Sequence, residues 1–443
     1  MDDSPGICSG AKISGARAMI VLCRYHYRIY HGAAKRESDV PMPPSIAISP
    51  VGHNEPNPSP VQPVTDRPLL FTPLTMKGIT ARSRVVVSPM SQYASIDGEP
   101  TDWHLVHLGH FAMGGAGIVF CEETSVAPLA RKTYSCPGIY SAAQVKAYRR
   151  ITDFIKSMGA VPALQLGHAG RKVATKPPWD GFAPLTAADA KDGKPPYRGL
   201  SASPVPTSDT ALVPKEMTAD DIKHVIQLHV DAVKRTIDAG YDLLEIHCAH
   251  GYIVQQFLSP IVNHRTDAYG GDLQGRMRFG FELVEAIRAA WPGDRPLFAR
   301  LSCQDGKGGQ WDLADTLQFA QGLKERGVDL IDCSSGGING PLTLSVVPRV
   351  PGYHMPFAEA VRREVGILTM GPGLITEARQ AEAILQRGQS DLICMARELM
   401  WNPNWPVHAA QTLGVPDYFD LLPPGYAWWL KRREETHQLN PER

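Results

Sequence analysis

From residue 69 onward the chain alternates between two kinds of segment. Short apolar runs rich in β-branched residues stop on polar residues or glycine, and amphipathic stretches separate most of them. The runs are Arg84–Met90, Gly117–Glu123, Ala160–Leu166, Tyr241–His247, Pro296–Ser302, Val328–Cys333, Val365–Gly371 and Asp391–Ala396. Continuous apolar runs of this length suit parallel strands buried on both faces. Helical stretches include Ala219–Ala239, which Thr218 and Asp221 would cap, and Glu377–Arg387, which follows Thr376. Eight strand–helix alternations over about 350 residues predict an α/β fold, a single (β/α)8 TIM barrel over residues 66–415. A doubly wound sheet is the rival, but no G-x-G-x-x-G follows the first run.

The first 65 residues break the pattern. Eight prolines fall between Pro41 and Pro63 among Ser, Asn and Glu, a composition that sustains neither helix nor ladder. Residues 1–65 are therefore expected to be a disordered, Pro-rich extension. Arg17, Arg24, Arg28, Lys35 and Arg36 give its first half some resemblance to a transit peptide, although Asp2 and Asp3 open the chain with acid, against that pattern.

Charge and cysteine usage narrow the classes. The 45 basic and 45 acidic residues cancel, which argues against nucleic acid as a partner. Apolar runs such as Ala18–Cys23 are far shorter than the roughly 18 residues of a membrane span. The eight cysteines include no C-x-x-C, which speaks against a zinc ribbon, an iron–sulfur cluster or a secreted disulfide framework and points to a reducing, cytoplasmic setting.

Barrel enzymes work at the carboxyl ends of their strands, so the residues on which each run stops carry the chemistry. Gly371 and Gly373 let backbone N–H groups approach an anion, and Arg397, one run later, adds a permanent charge; together they predict a phosphate site. His247 and His250 end the fourth run, where both imidazoles can converge on one atom. They could be zinc ligands, proton-transfer groups or neutral donors to a substrate oxygen, and a metal site lacks its third ligand nearby. His104, His107 and His110 lie along one helix and read as structural. Arg300 and Gln165 flank the fourth run with the cation and two-sided amide that a reduced isoalloxazine needs, although Arg300 could instead pair with a core carboxylate such as Glu245.

Five segments carry a family resemblance: SPMSQY (88–93), LQLGHAGRK (164–172), EIHCAHGYIVQQFLSPIVNHRTDAYGG (245–271), DLIDCSSGG (329–337) and DLICMAREL (391–399). The chain resembles the Old Yellow Enzyme family of FMN-dependent ene-reductases and NADPH dehydrogenases, and most of all its bacterial thermophilic-like subgroup. The resemblance implies noncovalently bound FMN, reduced by NADPH or NADH, with Ser88, Pro89, Met90, Ser91 and Glu123 beside the flavin. It further implies Gln165 and Arg300 at the pyrimidine edge, Ala396 and Arg397 at the phosphate, and Tyr93, His247, His250 and Tyr252 facing a small-molecule substrate. Tyr252 would be the proton donor. Departures are Ser91 for the subgroup's cysteine, Glu123 for a small residue and Gly275 for asparagine. Ser91 and Glu123 motivate an alternative, a flavin-binding redox sensor; another FMN-dependent barrel dehydrogenase is a third reading.

Residues 416–443 form a tail in which Gly425–Arg433 packs three large aromatics and three cations into nine residues. Such a segment either folds back on its own barrel or, as the subgroup resemblance implies, joins a homo-oligomer in which Arg432 or Arg433 reaches the partner's site.

Overall fold

The computed structural model describes residues 67–305, 310–339 and 347–439. The extension expected over residues 1–65 lies outside the described residues.

Each apolar run supplies one strand of a single parallel sheet: β1 Val85–Val87, β2 Ile118–Ser125, β3 Val161–Gly167, β4 Leu243–Cys248, β5 Leu297–Ser302, β6 Leu330–Ser334, β7 Leu368–Met370 and β8 Ile393–Met395. The order is β7-β6-β5-β4-β3-β2-β1-β8, so chain neighbours pair and β8 returns to β1. Backbone N–H groups of Asp391 and Leu392 donate to the Thr369 carbonyl at 2.9 and 3.3 Å, bringing β8 back towards β7 and the sheet nearly to closure. The Asp391 carboxylate reinforces that seam by accepting the Thr369 N–H at 2.9 Å.

Some ladders are shorter than the runs. The first stops at Val87 because Pro89 has no N–H to donate. In the seventh, Val365 ends a helix and Gly366 turns the chain at φ +65°, leaving only Leu368–Met370 extended.

The helices α1 Asp102–Met113, α2 Ala142–Ser157, α3 Ala219–Asp238, α4 Leu273–Ala290, α5 Leu313–Glu325, α6 Met355–Val365, α7 Ala378–Gln386 and α8 Trp405–Thr412 follow the strands in turn. Thr218 caps α3 as its sequence predicts: its hydroxyl accepts the Asp221 N–H at 3.1 Å, and the Asp221 carboxylate accepts the Thr218 N–H at 2.9 Å. Thr376 does not cap α7. Glu377 occupies that position without a side-chain bond, while the Thr376 carbonyl accepts the Trp405 indole N–H at 2.6 Å. At α4 the Gly275 N–H donates to Asp272, and a Cβ there would meet the Gly270 carbonyl at 2.1 Å, so glycine at 275 lets the preceding loop pack against the start of the helix.

Alternation divides the strands between two cores. Val86, Phe120, Ala163, Leu243, Phe298, Leu330 and Cys394 fill the barrel interior, with Met76 and Ala81 of an N-terminal hairpin in the same cluster. Their neighbours pack outward against the helices. Among the described residues no helix is long and apolar enough to cross a membrane.

Candidate active site

Beyond the apolar layers, polar side chains replace hydrophobic ones on the same inward faces. Gln165 is in register with Glu245, and its amide N–H donates to the Glu245 carboxylate at 2.7 Å. His247 is in register with Arg300, and Arg300 with Asp332. The Arg300 Nε lies 3.2 Å from Asp332 Oδ2, and Nη1 reaches the Ser88 hydroxyl at 3.4 Å. The carboxylate that pairs with Arg300 is therefore Asp332, which the sequence did not single out, whereas Glu245 takes Gln165. Burial would lower the Arg300 pKa, but Asp332 and Glu245 more than offset it, so the guanidinium stays charged.

Glu123 points where a small side chain would leave space. The β2–β3 register shifts between Cys121 and Glu123, so one residue is extra and Glu123 comes opposite Gln165. Its carboxyl crowds Gly167, where a Cβ would meet Glu123 Oε1 at 2.5 Å. Burial, and then the neighbouring Glu122, push the Glu123 pKa up to about 8, against Lys132 and Ser125. At neutral pH this carboxyl is mostly uncharged.

The paired histidines converge. The Ala249 N–H donates to His247 Nδ1 at 3.2 Å, which places the proton of the neutral ring on Nε2. His247 Nε2 lies 3.4 Å from His250 Nδ1, and His250 Nε2 lies 2.7 Å from the Ser334 hydroxyl. His250 holds a left-handed φ of +59°, pinned by its N–H donating to the Ser302 hydroxyl at 3.0 Å. Both pKa values fall well below the ordinary histidine range, through burial first and then the Arg300 charge. Both rings are neutral donors rather than acids. Cys248, between them, turns outward into the helix-facing core.

Tyr252 packs against His247, the two rings tilted by 36° with centroids 4.5 Å apart. Burial raises its pKa, followed by the effect of Glu123, so the phenol keeps its proton. Tyr93, at φ +56°, accepts a hydrogen bond from the Lys132 ammonium at 3.3 Å. Ser88 is buried at the end of β1, and Pro89, Met90 and Ser91 line the half-buried turn beyond it.

At the far side, only glycine at 371 lets β7 pass β6, because a Cβ there would meet the Cys333 carbonyl at 2.7 Å. Gly373 packs against the backbone nitrogens of Tyr353 and His354, each 3.2 Å from the position of a Cβ. His354, which carried no sequence signal, ties two strand ends together through Ser335 at 2.8 Å and the Pro372 carbonyl. Ala396 leads into a short helix over Arg397–Trp401, and the exposed Arg397 side chain has no ion pair among the described residues. His104 lies on α1, as expected of a structural residue, buried and 3.2 Å from Glu122.

A parallel barrel with an amide, a paired guanidinium and an exposed arginine at its carboxyl end has the polar set of a flavin-nucleotide oxidoreductase. Residues 69–415 match the NADH:flavin oxidoreductase / NADH oxidase family. The chain is 40% identical over 349 residues to an NADPH dehydrogenase of Geobacillus sp. (strain WCH70), and 39% identical over 348 residues to one of Bacillus subtilis (strain 168). Each alignment covers 78% of this chain and 95% of the relative. Morphinone reductase in complex with tetrahydroNAD superimposes with a TM-score of 0.64 at 25% identity, over 78% of this chain and 92% of that one. The chain belongs to the NADH:flavin oxidoreductase / NADH oxidase family, the Old Yellow Enzyme family. It is an FMN flavoprotein of the NADPH dehydrogenase class, with NAD(P)H as reductant.

Proposed function

We propose that this enzyme reduces activated C=C bonds, those of α,β-unsaturated carbonyl or nitro compounds, at the carboxyl end of the barrel within residues 66–415. The observation that carries the reading is the convergence of two neutral imidazoles, 3.4 Å apart, beside the charged Arg300.

The residues present fit FMN. Gln165 and Arg300 would offer an amide and a cation to the pyrimidine edge, and the turn Ser88-Pro89-Met90-Ser91 and Glu123 would border the ring. Gly371, Gly373, Ala396 and Arg397 would hold the phosphate, with Arg397 supplying a charge that no carboxylate among the described residues pairs with. The flavin supplies the hydride.

Ser334 can accept from His250 or donate to it, so the His250 proton can sit on either ring nitrogen. With that proton on Nδ1, His247 Nε2–H and His250 Nδ1–H face the same point and can both donate to one carbonyl or nitro oxygen. Negative charge grows on that oxygen as hydride reaches the β carbon, and preorganised donors stabilise it there. Tyr252, protonated and packed against His247, donates the proton to the α carbon. Tyr93 borders the substrate from the first strand end.

Ser334→Ala should slow enone reduction by about fivefold, the worth of one neutral hydrogen bond of ~1 kcal/mol, with FMN content unchanged. A rate equal to wild type in single-turnover mixing would remove Ser334 from the donor relay.

The C-terminal helix, α9 Pro424–Leu439, bears on assembly. Ala427 is buried and Leu430 packs on the core, with Lys431 paired to Asp420 at 3.0 Å. The helix docks on its own barrel, yet Trp428 and Trp429 remain 53% and 69% exposed. We infer that they bury in a homo-oligomer contact carried by residues 416–443, with Arg432 or Arg433 reaching towards the partner's site. Ending the chain after Pro424 should lower the mass seen by light scattering and raise KM for enones; unchanged mass and kinetics would exclude a shared site.

The reading is tested by NADPH oxidation with cyclohex-2-enone as acceptor under anaerobic conditions. One cyclohexanone per NADPH supports it, whereas NADPH consumption only in the presence of oxygen supports the redox-sensor alternative.

A further inference from the structure

Two lysines border the site, and alkene reduction as such gives neither of them a task. Lys132 and Lys172 line a cavity of about 260 Å³ shared with Tyr252, Phe182, Thr207 and Ser208. Lys132 is only 6% exposed. Its ammonium lies 3.9 Å from the Phe182 ring centroid, 5.7 Å from that of Tyr93 and 3.3 Å from the Tyr93 hydroxyl. Among the described residues it makes no ion pair. Aromatic faces and one phenol attract an ammonium, but they do not supply the counter-charge that a buried cation ordinarily has.

Among the described residues the surroundings supply little of it, and burial lowers the Lys132 pKa against the pull of Cys136 and Glu123. Glu123 is the nearby acid, and at neutral pH it is mostly protonated. Lys172 donates to the carbonyl oxygens of His250, at 2.9 Å, and Gly337. Burial pushes its pKa down to about 7, with Lys132 and Arg171 adding to the fall. Two amines in one small cavity thus oppose each other's charge, and a bound anion would relieve the buried Lys132.

We propose that this cavity receives a carboxylate carried by the substrate, so that the preferred substrates are activated alkenes bearing a carboxylate, with Lys132 as its ion-pairing partner and Lys172 beside it. The proposal rests on the alkene-reducing reading of the site. Tyr252 joins the two ends: it lines the cavity and packs against His247, so the activating oxygen lies at the histidines and the carboxylate at the lysines. A suitable probe is trans-4-oxopent-2-enoate. NADPH, a proton and this anion give NADP+ and 4-oxopentanoate; the C=C bond gains one hydride and one proton, and the carboxylate is unchanged.

The experiment compares kcat/KM of the holoenzyme for trans-4-oxopent-2-enoate and its methyl ester. The ester is the more electron-poor alkene, so intrinsic reactivity favours it. Wild type is expected to favour the acid at least tenfold, Lys132→Met to lose that preference through KM rather than kcat, and Lys132→Arg to keep it. Equal rates or an ester preference in wild type overturn the proposal, as does a Lys132→Met defect confined to flavin reduction by NADPH, which would assign the cation to the reductant's phosphate. Calorimetric titration with 4-oxopentanoate and its methyl ester reads the same site without turnover. Acid-selective binding that Lys132→Met abolishes upholds the carboxylate site even if no alkene, cyclohex-2-enone included, is reduced, and only the alkene-reducing reading then fails. Binding that does not distinguish acid from ester overturns the carboxylate site.

Discussion

His247→Ala should lower the rate at which the reduced enzyme transfers its electrons to cyclohex-2-enone by about two orders of magnitude, while slowing flavin reduction by NADPH much less. The size follows from the role. A preorganised donor to a developing oxyanion is worth roughly 3 kcal/mol in a water-excluded site, and the charge develops only in the alkene-reducing half. Because burial and Arg300 hold both imidazoles neutral, the loss should not vary with pH between about 6 and 8, where an acidic histidine would titrate. Alanine also strands the Ala249 N–H that His247 Nδ1 accepts, so structural damage must be separated from lost donation. His247→Gln can restore an N–H donor and should recover part of the rate. Equal losses in both half-reactions, with no recovery in the glutamine variant, would mark a packing defect instead.

Arg397→Ala should strip the protein of much of its flavin. The guanidinium is exposed at the end of β8 and has no ion pair among the described residues, so nothing in the fold requires it. A charge-assisted contact to phosphate contributes about 1.5–3 kcal/mol, which is roughly 10- to 100-fold in Kd. The variant should purify pale, regain yellow absorbance at high FMN concentration, and unfold as apoprotein at the wild-type temperature. A full complement of tightly held flavin would place the phosphate elsewhere.

The barrel was legible because its strands are buried on both faces, so they read as continuous apolar runs that stop where the chemistry starts. His247, Gln165 and Arg300 could be placed by alternation, and His250 by its position just past the end of the fourth strand. Glu123 could not, because an extra residue between Cys121 and Glu123 resets which face the side chain takes, and no composition signals a bulge of that kind. Asp332 left a trace that reading strand ends misses: an acid inside the apolar run Val328–Cys333 must have a buried partner, and register supplies Arg300. Lys132 lies between β2 and α2, where a lysine is ordinarily solvated, and only the fold brings Phe182 over it. The tail was half legible: its aromatics announced a contact, but the helix that seats Ala427 and Leu430 while leaving both tryptophans outward emerges only in three dimensions.

The most direct test of the account is a single turnover without oxygen. The holoenzyme is bleached with one equivalent of NADPH and mixed with cyclohex-2-enone in a stopped-flow cell. The yellow absorbance should return at a rate that rises with enone concentration, with one cyclohexanone formed per flavin. A protein that stays bleached until air is admitted would contradict it.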